Sequence, residues 1–359
     1  NKLSHAARLT LINSVFASIP VYYMSNILFS RKLIAKLTSI IRNFWWTGIK
    51  EDPSKKALCL RAWKDICTPK VEGGLGIKNI QAVNRGLILS AAWRIAEEPQ
   101  SFLSQVLKSK YFPDTSIWRA KNNIPKSGFW ASILKVKHIL CANSIYQILD
   151  GNSSVWSTPW FPHWQSIYEH LQIRPGHYVY PSKIKDLWNQ NQKTWNASLI
   201  YNLFDYEVAN NIMKVPIIQH QGADILCWKL HPSGKCTSKS AYKACLQDLQ
   251  QQGSPLPRQV SQEIKQLLKQ VWKDKTMVPR VQTFAWRLLR KALPTGMRAG
   301  KYSKHIKKGC IRCDQDENDM HLFFTCPFAK AAWVAHPWFI KSEILCNNYT
   351  SIAEIIHAL

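Results

Sequence analysis

Acidic residues are scarce in this chain: 22 Asp and Glu stand against 48 Lys and Arg, for a formal net charge of +26 over 359 residues. No two aspartates are adjacent anywhere. Two-metal polymerases and nucleases group carboxylates around their ions, so the sequence argues against a complete site of that kind. Gly-x-Ser-x-Gly and His-Glu-x-x-His are missing as well, which removes the serine-hydrolase elbow and the helical zinc-protease site. Gly73, Gly74 and Gly76 invite comparison with a phosphate loop, but the Gly-Lys-Ser/Thr ending is absent, and a tight turn is the expectation. A long apolar run is also lacking. Leu9 to Phe29 carries no charge, yet Pro20 breaks it and Asn13, Ser14, Ser18, Ser25 and Asn26 dot it, so it reads as a packed helix rather than a membrane span. No small-residue cleavage site follows a clean apolar run, so no signal peptide is read there.

Cysteine is present ten times and patterned once. Cys310-Ile-Arg-Cys313 is followed after seven residues by His321, and after four more by Cys326. A Cys-x-x-Cys turn aims two sulfurs at one point. A histidine and a third cysteine complete the four donors that a closed tetrahedral zinc site takes. The competing readings are a redox pair, which normally opens a helix after a strand, and thiols gathered by chance. With no ligand position left open, one structural Zn2+ is expected, with His305 and His336 as spare ligand candidates. Asp314, Asp316, Glu317 and Asp319 read as a solvated loop rather than a second metal group. The other seven cysteines are scattered, which fits a reducing, intracellular compartment, cytoplasm or nucleus, better than secretion.

The positive charge is densest beside that cluster. Between Trp272 and Lys308 the chain carries eleven basic residues against one acidic, Asp274. Arg280, Arg287, Arg290, Lys291, Arg298, Lys301, Lys304, Lys307 and Lys308 are the candidate contacts to nucleic-acid phosphates, by way of backbone charge rather than base sequence. A solvated face is the competing explanation. Sixteen tryptophans supply stacking surfaces in principle, but core packing is the expected use of most of them.

Periodicity reads as mainly α, with small hairpins. A helix is expected to end near Pro20, with Leu9, Ile12, Val15, Phe16 and Ile19 inward. A second covers 32–46 and stops at Gly48, and a third covers 79–95. Asp224 to Trp228 and His231 to Cys236 read as a hairpin, Gln247 to Arg258 as a linker, and 166–183 as a loop. A helix opening at Pro279 is expected to bury Val281, Phe284, Ala285, Leu288 and Leu289.

Several stretches then carry a resemblance: Leu3-Ser-His-Ala-Ala-Arg-Leu-Thr-Leu-Ile12, Ser18-Ile-Pro-Val-Tyr22 with Met24-Ser25, Arg42-Asn-Phe-Trp-Trp-Thr-Gly48, Gly73-Gly-Leu-Gly-Ile77 with Asn84 and Trp93-Arg94, Lys108-Ser-Lys-Tyr-Phe-Pro113, and Trp130-Ala-Ser-Ile-Leu134. In that order they resemble the region after the polymerase core in plant LINE-type (non-LTR) retrotransposon reverse transcriptases. Trp272-Lys-Asp-Lys275, Val278-Pro-Arg-Val-Gln-Thr-Phe-Ala-Trp-Arg287, Leu293-Pro-Thr295, the cysteine cluster and Trp333 are similar to the reverse-transcriptase zinc-binding domain of the same family. Ala7 departs from the glycine usual there.

The resemblance implies a helical thumb-like region over 1–100 and a connecting region over 101–250. A zinc-stapled helical module follows over 259–340, then a C-terminal tail over 341–359. It implies a non-catalytic fragment, begun in mid-pattern without Met, whose polymerase domain and catalytic aspartates lie upstream and whose RNase H segment, if any, lies downstream. The expected partner is RNA or DNA, with no small-molecule substrate and no membrane. A zinc-dependent protein-docking module and a degenerate retroelement relic are the alternatives.

Overall fold

A computed structural model describes residues 3–49, 57–121, 125–172, 180–189, 192–253, 255–302 and 305–359. The chain is mainly α, as expected, and its described residues form a single two-stranded sheet. It divides into two compact units that do not follow the chain in order. One comprises 1–20, 30–80 and 253–359; the other comprises 21–29 and 81–252. The segment 1–100, expected as one region, is thus shared between both. None of the described helices is long and apolar enough to cross a membrane.

The unit containing the C-terminus is built on helix Arg31–Thr47. Ser30 caps its start by accepting the Leu33 N–H, and Gly48, at φ 71°, ends it as the sequence predicts. Its last turn buries Trp45 and Trp46. Arg8, itself buried, donates to the carbonyls of both, 3.3 and 3.2 Å away, and so places a cation on the negative end of that helix. The helix expected to end near Pro20 is α-helical over His5–Leu11 and opens into a π-helical stretch over Ile12–Phe16. Its predicted stripe is buried only at Leu9 and Ile12; Val15 and Ile19 are exposed, Ile19 by 67%.

The glycine turn forms as predicted. Gly73 and Gly76 take φ of 86° and 72°, and a Cβ on Gly74 would lie 2.1 Å from the Thr68 carbonyl oxygen. The turn offers the Gly73 carbonyl to the indole N–H of Trp286, 3.0 Å away. That anchor fixes the rotation of helix Pro279–Leu289. It buries Thr283, Trp286 and Leu289, while Val281 and Phe284 face outward. The expected apolar face was therefore turned in its phase: one tryptophan locked against Trp45 at 6.4 Å outweighs the two smaller apolar side chains of Val281 and Phe284.

The second unit wraps helix Ile80–Glu97, which is buried on most sides: Ala82, Asn84, Gly86, Ile88, Leu89, Ala92 and Trp93 are all inside. Gly86 allows close packing of helix Ser238–Gln251, since a Cβ there would meet the Tyr242 backbone nitrogen at 3.1 Å. That helix covers the first five residues of the expected linker, because Cys245 and Leu249 have a core to enter.

The expected local hairpin is also replaced. Strand Ile225–Trp228 pairs antiparallel with Ser144–Gln147, delivered by the end of helix Gly128–Asn143, with Trp228 opposite Ser144. Trp228 then lies edge-on to Trp93 at 5.6 Å, a contact a purely local hairpin does not supply. Most tryptophans are core, as expected; Trp93, Trp130, Trp160 and Trp228 are fully buried in this unit. Of the expected loop 166–183, Ile167–His170 forms a 3-10 turn and 173–179 lie outside the described residues.

Candidate metal centre and its basic surroundings

The four residues singled out by spacing converge. The donor atoms of Cys310, Cys313, His321 and Cys326 all lie within 4.8 Å of one another. Cys310 Sγ and Cys326 Sγ are 4.0 Å apart, and Cys313 Sγ is 3.2 Å from His321 Nε2. With zinc–sulfur bonds of about 2.3 Å, a tetrahedron has edges of about 3.8 Å, so one ion fits among these donors with small adjustments. Neither His305 nor His336 joins the group; both are exposed.

Two local structures make the convergence. The first is a tight loop in which Cys310 N–H donates to the Gln315 carbonyl and Asp314 N–H donates back to Cys310, at 2.7 and 2.9 Å. Asp314 takes φ 55° there, and a Cβ on Gly309 would lie 2.8 Å from its carbonyl oxygen. The second is a π-helical turn over His321–Thr325, closed by Cys326 N–H donating to the His321 carbonyl at 3.0 Å. Residues five apart on an α-helix point about 140° away from each other. The wider π turn brings His321 and Cys326 to one side, where an α-helix does not.

Two of the three thiols are biased toward thiolate, while Cys313 is pushed the other way by burial and by the neighbouring Cys310 and Cys326. The Arg312 N–H, then His321, hold the Cys310 thiol below its usual range. Burial pushes Cys326 upward, but the N–H groups of Phe328 and Ala329 outweigh it and that thiol also sits low. His321 presents Nε2 to the sulfurs and keeps Nδ1 3.4 Å from the Thr325 hydroxyl, the supporting contact that fixes a ligating ring. Thr325 was not foreseen, because nothing in its spacing marks it.

Residues 237–333 match the family described as zinc-binding in reverse transcriptase. The match begins at Thr237, the cap of helix Ser238–Gln251, ahead of the boundary at 259 that the sequence suggests. A putative ribonuclease H protein of Arabidopsis thaliana is 29% identical over 92% of the chain, which spans about half (52%) of that relative's length. An uncharacterised mitochondrial protein of the same plant is 32% identical over 40% of the chain and 92% of its own length. The chain belongs to the family of reverse-transcriptase-related retroelement proteins. Its zinc-binding domain carries a Cys3His donor set suited to one zinc ion.

The basic residues of this retroelement chain divide into two groups. Arg280, Lys291, Lys301, Lys307 and Lys308 are exposed, as are Lys273 and Lys275; Lys304 lies outside the described residues. The other three are engaged in the fold. Arg298 pairs with Asp319 and donates to the Leu293 carbonyl at 2.6 Å. Arg287 is half-buried, donating to the Ala292 carbonyl at 3.4 Å and to His5 Nδ1 at 3.3 Å. Arg290 is 6% exposed. The acidic loop is likewise only partly solvated: Glu317 Oε1 accepts the Gly296 N–H at 2.8 Å, and Asp319 holds Arg298. These bonds join the zinc loop to the end of the basic segment.

Proposed function

We propose that the chain is a non-catalytic part of a plant LINE-type, non-LTR retrotransposon reverse transcriptase, and that its zinc-stapled module grips RNA or DNA by the phosphate backbone. The LINE assignment rests on the order of sequence motifs described above. The observation that carries the binding reading is the exposed basic row Arg280, Lys291, Lys301, Lys307 and Lys308, leading directly into Cys310. Zinc, held by Cys310, Cys313, His321 and Cys326, supplies no chemistry to a substrate in this reading; its charge and four bonds fix a loop too small to have its own core. Lys307 and Lys308 sit three and two residues before the first ligand, so the staple positions them.

The test is binding of a labelled RNA hairpin and a DNA duplex across a salt series. A slope of log affinity against log salt near −0.9 per duplex phosphate contact is expected. Joint replacement of Lys301, Lys307 and Lys308 by Gln should make that slope shallower by about 2–3. Binding that is absent, or flat in salt, overturns the reading.

A second reading has its own observation. The zinc module exposes Ile311, Phe328, Trp338 and Phe339, with the Arg312 guanidinium 3.6 Å above the Phe328 ring. Such an apolar surface suits protein docking. Salt-insensitive capture of the upstream polymerase domain, with no nucleic-acid affinity, favours it.

A further inference from the structure

The exposed lysines are not the only concentrated charge in this unit. Arg61, Arg258 and Arg290 come from three separate stretches of sequence and meet around one carboxylate, Asp65. Arg61 Nε donates to the Arg290 carbonyl oxygen. Asp65, 1% exposed, accepts the Arg258 backbone N–H through Oδ1 at 3.0 Å. Burial and mutual repulsion both act on the guanidiniums. Arg61 is pushed down first by burial, then by Arg290 and Arg258, with Asp65 opposing; Arg290 is pushed down by burial and by Arg258, again with Asp65 opposing. Arg298 lies in the same field, but Asp319 already neutralises it. The Arg61 and Arg290 guanidiniums therefore share the field of one carboxylate with the charge of Arg258, which bonds Asp65 through its backbone, and two positive charges are left over.

Unmet hydrogen-bonding capacity lies on the residues of the cluster, the Asp65 Oδ2 included, and on Thr295 in the same unit. Arg290 is more than nine-tenths buried, and its Nε has no partner. Thr295, 2% exposed and on the turn that carries Arg298, has an unpartnered hydroxyl. A buried donor without a partner is costly, more so when charged, and folds rarely keep one without reason. Arg258 is exposed and Arg61 half-buried, so the cluster opens to solvent on one side.

We propose that Arg61, Arg258 and Arg290 form a discrete binding site for a phosphate group. Guanidinium forks match a tetrahedral oxyanion with paired N–H donors, and a doubly charged or bridging phosphate offsets the surplus charge that Asp65 leaves. As a seat for one phosphate of a nucleic-acid backbone, the site rests on the reading given above. It adds a partly buried contact to what is otherwise an exposed basic row.

The site is tested on the zinc-loaded full chain by thermal unfolding in about 10 mM inorganic phosphate against chloride of equal ionic strength. Phosphate is expected to raise the midpoint by about 2–4 °C. Arg258→Gln, a change at an exposed side chain, should remove more than half of that shift while the protein still holds one zinc. Arg61→Lys should do the same, because a point charge does not replace the fork. Lys307→Gln should leave the shift intact. A midpoint that rises no more in phosphate than in chloride overturns the site, as does a shift unchanged in both arginine variants. Binding of RNA and DNA in Arg258→Gln separates the sources of the phosphate. An affinity loss of about tenfold assigns the seat to the backbone. An unchanged affinity beside a lost phosphate shift upholds the site with free phosphate as its ligand. Salt-dependent nucleic-acid binding without any phosphate shift overturns this site and leaves the broader reading standing.

Discussion

The two units differ most in what they bury besides hydrocarbon. Among its described residues, the unit around helix Ile80–Glu97 buries only uncharged polar side chains: Asn84, Ser104, Ser132, Ser144 and Ser240. Asn84 uses three hydrogen bonds, accepting from Phe29 N–H at 2.8 Å and donating to the Met24 and Ile27 carbonyls at 2.7 and 2.9 Å. The same unit holds aromatic pairs, such as Tyr111 stacked on Trp130 at 4.9 Å. The unit holding the C-terminus buries Arg8, Asp65, Arg290 and His321, and leaves polar atoms of Arg8, Asp65, Arg290 and Thr295 without partners. The described residues of the unit around Ile80–Glu97 leave only the indole N–H groups of Trp188 and Trp228 without partners. The unit holding the C-terminus has a metal site and a positive surplus, and both call for something from outside the chain.

The sharpest way to break the comparison is to remove the metal. Cys313→Ser, or chelation, should abolish the single zinc seen by native mass spectrometry. Structural zinc contributes on the order of 10 kcal/mol in small zinc domains, so backbone hydrogen exchange should rise across 296–334, while helix Ile80–Glu97 stays protected. A folded, metal-free chain with unchanged exchange would sink the zinc assignment. The reciprocal change is Trp93→Ala, which opens a void beside Trp228 and should cost the other unit about 3–5 kcal/mol without releasing zinc. Zinc loss in that variant would mean that the two units are not independent.

Smaller effects refine the contrast. His5 packs edge-on to Trp45 at 5.1 Å and has its pKa lowered from 6.5 to about 4, by burial first and then by Arg287 and Arg8. Folded His5 stays neutral where unfolded His5 gains a proton. Its contribution is therefore fully present above pH 6.5 and is lost as pH falls toward 4. Allowing for partial exposure, the loss reaches about 2 kcal/mol. Urea midpoints of His5→Gln and wild type, compared between pH 7 and pH 4.5, should converge on acidification; a constant difference would refute the assignment. Gly296→Ala comes next. A Cβ there would lie 2.6 Å from the Lys308 carbonyl oxygen and 2.9 Å from that of Lys307. The clash should cost about 1–3 kcal/mol and weaken zinc retention in a chelator competition. Lys307→Gln alone should change stability by less than about 0.5 kcal/mol and show itself only in the salt dependence of binding.

What the sequence reveals and what it hides separate along physical lines. The zinc donors were legible because each is defined by spacing over 17 residues, as were Gly48 and the Gly73–Gly76 turn, whose backbone angles only glycine adopts easily. The partner of strand Ile225–Trp228 was not, because Ser144–Gln147 lies some 80 residues earlier and nothing local specifies it. The phase of helix Pro279–Leu289 was misread for a related reason: Trp286 is held by a carbonyl from residue 73. That misreading propagates, since turning the helix to bury Trp286 also carries Arg290 inward. Counting charges along 272–308 could not separate the free lysines from the three arginines committed to the fold.

The π-helical turn between His321 and Cys326 has a consequence for anyone transplanting this centre. A designer who grafts the same four-residue gap onto a regular α-helical scaffold turns the last thiol away from the ion. Deleting one intervening residue restores a common face on such a scaffold, but in the native turn the same deletion misaims the thiol. The length of the gap and the pitch of the turn form a matched pair, and a pattern search that fixes one while ignoring the other will pass over working sites and accept broken ones.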